Sequence, residues 1–278
     1  MPEVYPPAHH VLRDLRLAFA AGADDRSRRV WLPVTPEVRT DGGRGPVRMG
    51  AIAVLVDVLG GGLAATAAAP DWIATADLTV HLGDLRTPGA HVEARGRVRR
   101  KGRTTVVMEV DLLAADETPL GLATMTFAVL PRRDANPVMP PAAADDTVTT
   151  MALAESGLAE SLTAAAGIRV VDAATGRSEV AVTDWVRNSM GALQGGIVAT
   201  LAECATEAAA RHRTGAPLVV TDLHVTYLGF GRVGPVRTEV TTAGDGDRVV
   251  AEVSVRDHGA DERLMARVSA VATRVGES

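Results

Sequence analysis

Two carboxylates interrupt apolar runs at matching places in the chain: Asp57 in MGAIAVLVDVLGGGLAA and Glu203 in QGGIVATLAECA. An unpaired carboxylate is costly to bury. Burial would also raise its pKa and suit it to base chemistry near neutral pH. Each acid follows a glycine by seven residues, Gly50 before Asp57 and Gly196 before Glu203. Gly195 and Gly196 are expected to open a helix, where backbone N–H groups lack intrahelical acceptors and the dipole is positive. Such a start can hold a developing oxyanion, and glycine lets the ligand come close. Seven residues are nearly two turns, some ~10 Å along the axis, too far for one substrate atom to touch both groups of one helix. Two such helices packed antiparallel would instead bring the acid of each to the glycine start of the other. Composite sites follow: Gly195 with Asp57, and Gly50 with Glu203. Glu207, one turn past Glu203, keeps open the alternative of a solvated charged stripe there, whereas the run around Asp57 holds no other charge.

The elements that must position these groups occur twice. MGAIAVLVD (49 to 57) aligns with GGIVATLAE (195 to 203) at a spacing of 146. DLTV (77 to 80) answers DLHV (222 to 225), and Glu109-Val110 answers Glu252-Val253. Each copy reads as an apolar helix, about 50 to 66 and 195 to 212, followed by strand-like runs. In TTVVMEVDLL (104 to 113), Val106, Met108, Val110 and Leu112 alternate onto one side. Turn signals such as Lys101-Gly102 and Gly244-Asp245-Gly246 separate the runs. The aperiodic stretch from 131, rich in Pro, Ala and Asp, reads as a linker. The expected organisation is therefore a front copy over 1 to 130, a linker over 131 to 150 and a rear copy over 151 to 278. One helix and a few antiparallel strands cannot bury an apolar sheet face alone, so the copies should dock, joining sheets or packing helices about a pseudo-two-fold axis.

Composition narrows the function classes. A chain of 278 residues has room for two modest domains, and 46% hydrophobic residues can build a core. Only 3% are aromatic and the net charge is -5, which speaks against a nucleic-acid surface. Cys204, the single cysteine, allows no internal disulfide, and beside Glu203 it reads as a packing residue rather than a thiolate. The histidines show no ligand spacing, so neither a metal nor another cofactor is expected. No stretch reads as a membrane span or a signal peptide, and a cytoplasmic protein is expected.

The pattern Asn188, then Gln194-Gly195-Gly196, then Glu203 resembles that of the hotdog-fold thioesterases of the phenylacetate-pathway (PaaI-like) type. There an Asn precedes His-Gly-Gly by six residues, and an Asp or Glu follows that His by nine. Here Gln194 stands in place of the His. The resemblance covers about 25 to 275 and implies an α+β tandem double hotdog, two antiparallel sheets each wrapped around a central helix. Thr221, and Thr75 in the front copy, fall where that family often has Ser or Thr near the carboxylate. The front copy has Arg48-Met49-Gly50 for the glycine motif and Gly42 for the Asn, yet keeps Asp57. One complete site can thus be assembled, from Asn188, Gln194 and Gly195 with Asp57 and Thr75. The reciprocal site, Glu203 against Arg48 and Met49, would be impaired or bind something else.

By that resemblance the reaction is hydrolysis of an acyl thioester, an acyl-CoA, with the carbonyl on the Gly195 N–H, Asn188 and Gln194 orienting substrate or water, and Asp57 acting as base or nucleophile. Gly196, Gly50 and Arg48 would line the substrate, and Arg100, Lys101 and Arg103 could meet the CoA phosphates or form an exposed hairpin. Two alternatives remain at this level, a non-catalytic acyl-CoA-binding module and a hotdog hydratase or dehydratase. The double hotdog could further associate as a homodimer.

Overall fold

The computed structural model describes residues 5–83, 85–86, 88–133 and 147–274. In chain order, a short helix α1 (Val11–Asp14) leads to strands β1 (Ala18–Ala21) and β2 (Ser27–Pro33), then the long helix α2 (Met49–Ala68). Strands β3 (Trp72–Leu82), β4 (His91–Lys101), β5 (Thr105–Ala114) and β6 (Pro119–Leu130) follow. The rear part runs β7 (Thr149–Thr150), α3 (Leu162–Ala165), β8 (Arg169–Asp172), β9 (Arg177–Val180) and α4 (Gly195–Thr214). Strands β10 (Val219–Tyr227), β11 (Val236–Ala243), β12 (Arg248–Asp257) and β13 (Arg263–Thr273) complete it.

The alternation expected in β5 is present: Val106, Met108, Val110 and Leu112 are buried and point at the helices. In β12, Val249, Ala251, Val253 and Val255 do the same. Helix α2 is apolar on nearly every face because it is covered nearly all round, by the sheet and by α4. By length and composition it could cross a membrane, contrary to the expectation that no such stretch exists, yet most of it is buried inside the protein as the central helix. Helix α4 stops at Gly215, whose left-handed φ of 72° closes the last turn through its N–H to the Arg211 carbonyl.

All strands join in one 13-stranded sheet of order β7-β1-β2-β4-β5-β6-β3-β10-β13-β12-β11-β9-β8. Two sheets, one per copy, were expected. Antiparallel pairing of β3 with β10, Leu78 opposite Val225 and Val80 opposite Leu223, fuses them instead. Both strands present an unfilled row of backbone groups at the edge, and pairing satisfies it. Outward from that seam the order reads alike in both directions: β3, β6, β5, β4, β2 on one side and β10, β13, β12, β11, β9 on the other. Of the expected linker, residues 134–146 lie outside the described residues. Its last two, Thr149 and Thr150, form β7 and pair with Phe19 and Ala18 of β1.

Candidate active site

The helices α2 and α4 meet at two glycines. A Cβ on Gly196 would fall 2.5 Å from the Val54 Cα, and one on Gly50 2.7 Å from the Thr200 Cα. As α2 advances from 50 to 54, its partner recedes from 200 to 196, so the helices run antiparallel. Both glycines are buried helix contacts, which corrects the expectation that they line a substrate: there is no room over either. Their close approach carries each helix's acid to the other's first turn.

At the start of α4 this brings Asp57 to Gly195, where an added Cβ would stand 2.9 Å from Asp57 Oδ2. Gln194 Nε2 donates to Asp57 Oδ2 at 2.7 Å, and Thr75 Oγ1 donates to Oδ1 at 2.9 Å. The amide of Gln194 is oriented by its other end: Oε1 accepts from the Ile197 N–H at 3.0 Å and caps the helix. Gln194 thereby supplies both the cap and a donor aimed at the acid. Burial dominates the titration of Asp57 and pushes its carboxyl up to about 6, although the Thr75 hydroxyl and the Gly196 N–H favour the anion. The side chain is enclosed by protein yet keeps partial exposure, which leaves it reachable. Among the described residues, the Gly195 N–H has no hydrogen-bond acceptor. The Gly195 carbonyl accepts from Tyr227 Oη at 2.9 Å, which anchors the helix start to β10. Nothing in the spacing singled out Tyr227. Its only signal was being one of two tyrosines in the chain.

The Oδ1 of Asn188 accepts from the N–H groups of Met190 and Ala192, so that oxygen shapes the loop into α4. Met190 in that loop meets the indole N–H of Trp72.

The reciprocal site is closed. Glu203, 1% exposed, accepts the Met49 N–H on Oε1 at 2.9 Å and the Gly50 N–H on Oε2 at 3.0 Å. Arg48 Nη1 lies 3.3 Å from Glu203 and 3.5 Å from Glu207, so Glu207 is a half-buried partner and not part of a solvated stripe. The expected roles of Glu203 in catalysis and of Arg48 in substrate binding are corrected: their charges satisfy each other and the first turn of α2. Cys204 beside them is a packing residue, its thiol pushed far up by burial. Thr221 borders a cavity of about 20 Å³ with Glu203 and Met49, room for about one water molecule. Its hydroxyl goes to Asp222 at 3.0 Å and not to Glu203, because Thr221 is the extra residue of a bulge in β10. In β3 the extra residue is Ala76, so the counterpart of Thr75 is Val220, which has no hydroxyl.

Arg100, Lys101 and Arg103 sit exposed on the β4–β5 hairpin without an acidic partner among the described residues. Their neighbours Arg95, Arg97 and Arg99 are paired with Glu93, Glu109, Asp111 and Glu117.

Known folds can be set beside this geometry. A TesB protein of Mycobacterium avium subsp. paratuberculosis superposes with a TM-score of 0.58, at 13% identity over 92% of this chain and 96% of its own. An acyl-ACP thioesterase from Bacteroides thetaiotaomicron gives 0.57, at 11% identity over 88% of this chain and 97% of its own. The chain has their fold. That fold is an extended antiparallel sheet carrying long central helices. No protein-family model matches the chain, and no curated protein matches it in sequence.

Proposed function

We propose that the chain is a thioester hydrolase acting on acyl-CoA, built as a tandem double hotdog with one working site. The observation that carries this reading is Asp57 of α2 at the glycine start of α4, its carboxyl raised to about 6 and met by the Gln194 amide. The shared fold of solved thioesterases supports it.

In this reading the thioester carbonyl accepts the free Gly195 N–H at the positive end of α4. Asp57, largely ionised at neutral pH, takes a proton from water as that water attacks the carbonyl carbon. The oxyanion of the tetrahedral intermediate stays on the Gly195 N–H, a donor of a kind worth about 3 kcal/mol in such reactions. Collapse breaks the carbon–sulfur bond, and the proton held by Asp57 goes to the departing thiolate. Gln194 and Thr75 keep the carboxylate pointed at the water throughout. The clustered free cations Arg100, Lys101 and Arg103 would attract the phosphates of CoA.

A panel of acyl-CoA esters with detection of free thiol tests the reading. Asp57→Asn is expected to lower kcat by roughly 10² to 10⁴-fold while circular dichroism and Tm show an intact fold. A parental rate in that variant, or an enoyl ester that gains water without releasing thiol, would remove the assignment.

A further inference from the structure

Three successive glycines, Gly60, Gly61 and Gly62, lie inside α2, where glycine weakens a helix relative to alanine. Packing explains Gly60, where a Cβ would lie 2.5 Å from Met125 Sδ and 3.0 Å from the Phe127 ring, both buried. A Cβ on Gly62 would meet only the end of the Arg28 side chain, which can swing aside. A Cβ on Gly61 would meet nothing within 4 Å, and its backbone is ordinary helix that any residue adopts. Neither crowding nor conformation accounts for Gly61.

Its place in the helix does. Gly61 stands one turn after Asp57 on the same face, about 6 Å further along the axis. The rear half shows what a side chain there would reach. At the same spacing of 146, residue 207 is glutamate. Glu207 is ion-paired with Arg48, the counterpart of Gln194, and lies beside the N–H of Val220, the counterpart of Thr75. A side chain at position 61 would accordingly project between the two donors that hold Asp57. In the closed site glutamate fills that volume; in the open one glycine leaves it free. The half-buried flanking residues Val58 and Ala65 are apolar and suit a hydrocarbon, with the Arg28 guanidinium by Gly62 as a charged neighbour of that surface.

We infer that Gly61 is a specificity-determining residue: the space over it receives the acyl group, and the substrates taken are acyl thioesters longer than acetyl. This rests on the hydrolase reading above.

The test compares kcat/KM for octanoyl-CoA and acetyl-CoA in the parental chain, Gly61→Ala and Gly61→Val, following thiol release. The octanoyl-to-acetyl ratio is expected to fall by roughly tenfold in Gly61→Ala and further in Gly61→Val, since small steric changes in apolar pockets act on that scale. The Tm of Gly61→Ala should equal or exceed that of the parent, which separates a blocked pocket from a damaged fold. An unchanged ratio, or an equal loss for both esters, would overturn the inference. Should the parental chain release thiol from neither ester, the hydrolase reading fails, and calorimetric binding of octanoyl-CoA still decides about Gly61: weaker binding in Gly61→Val sustains its role, equal binding refutes it.

Discussion

Glu203 carries one methylene more than Asp57, enough to bring both of its oxygens onto the N–H groups of Met49 and Gly50. The shorter Asp57 ends where the Gln194 amide and the Thr75 hydroxyl meet it, and the Gly195 N–H stays available. The titration of Asp57 has consequences of opposite sign for stability and for rate. With its folded pKa raised to about 6 from the ordinary 3.8, the group favours the fold below the ordinary value. That contribution is lost as pH rises through about 6. Asp57→Asn should therefore gain Tm over the parent between pH 4 and pH 7, with little further change above. Activity needs the anion, so kcat/KM should drop about tenfold per pH unit below that pKa. A flat profile from pH 4.5 to 7 would remove Asp57 from the base role. Much at this scale was legible in sequence: an acid alone in an apolar run, and a glycine pair at the right distance. Thr221 was misread because spacing fixes a residue's place along the chain and not the direction its side chain takes after a bulge.

Between residue and molecule stands the contact of α2 with α4. Gly50 and Gly196 let the two backbones touch, and the touch sets how deep each acid reaches into the other helix's first turn. Gly196→Ala puts a methyl group against Val54 backbone, which cannot retreat within a helix. We expect a loss of about 1–3 kcal/mol, with activity falling beyond what the unfolded fraction explains, because Asp57 withdraws from Gly195. Unfolding in urea together with thiol-release assays would measure both; a variant with parental stability would contradict this account of the crossing. The helices and the alternating strands were readable from periodicity and from the repeat at a spacing of 146. The bulges at Ala76 and Thr221 were not read, although an inserted residue breaks the alternation: in β10 the buried side chains are Val220, Leu223 and Val225, three apart across the bulge and two apart after it.

Across the whole molecule, the seam between β3 and β10 makes one sheet of what the repeat suggested were two. Joined sheets were one of the two ways in which the copies were expected to dock; which strands would pair could not be read from residue types, because backbone pairing carries no side-chain signature at an edge. The N-terminal segment reinforces the joint: the Val11 N–H donates to the Trp185 carbonyl, and the Trp185 indole donates to Asp14. Two halves tied in this manner should unfold as one unit. Calorimetry is expected to give a single transition, and Leu78→Ala at the seam should lower it as a whole by about 2–5 kcal/mol. Two resolved transitions would show that the halves are energetically independent. A pair of identical subunits would have to repeat any substitution at both of its symmetry-related acids. Here the glutamate and arginine that lock one helix end exist on a single polypeptide with the aspartate and bare glycine of the other, so rigidity and reactivity have been allotted to different addresses in the same gene product.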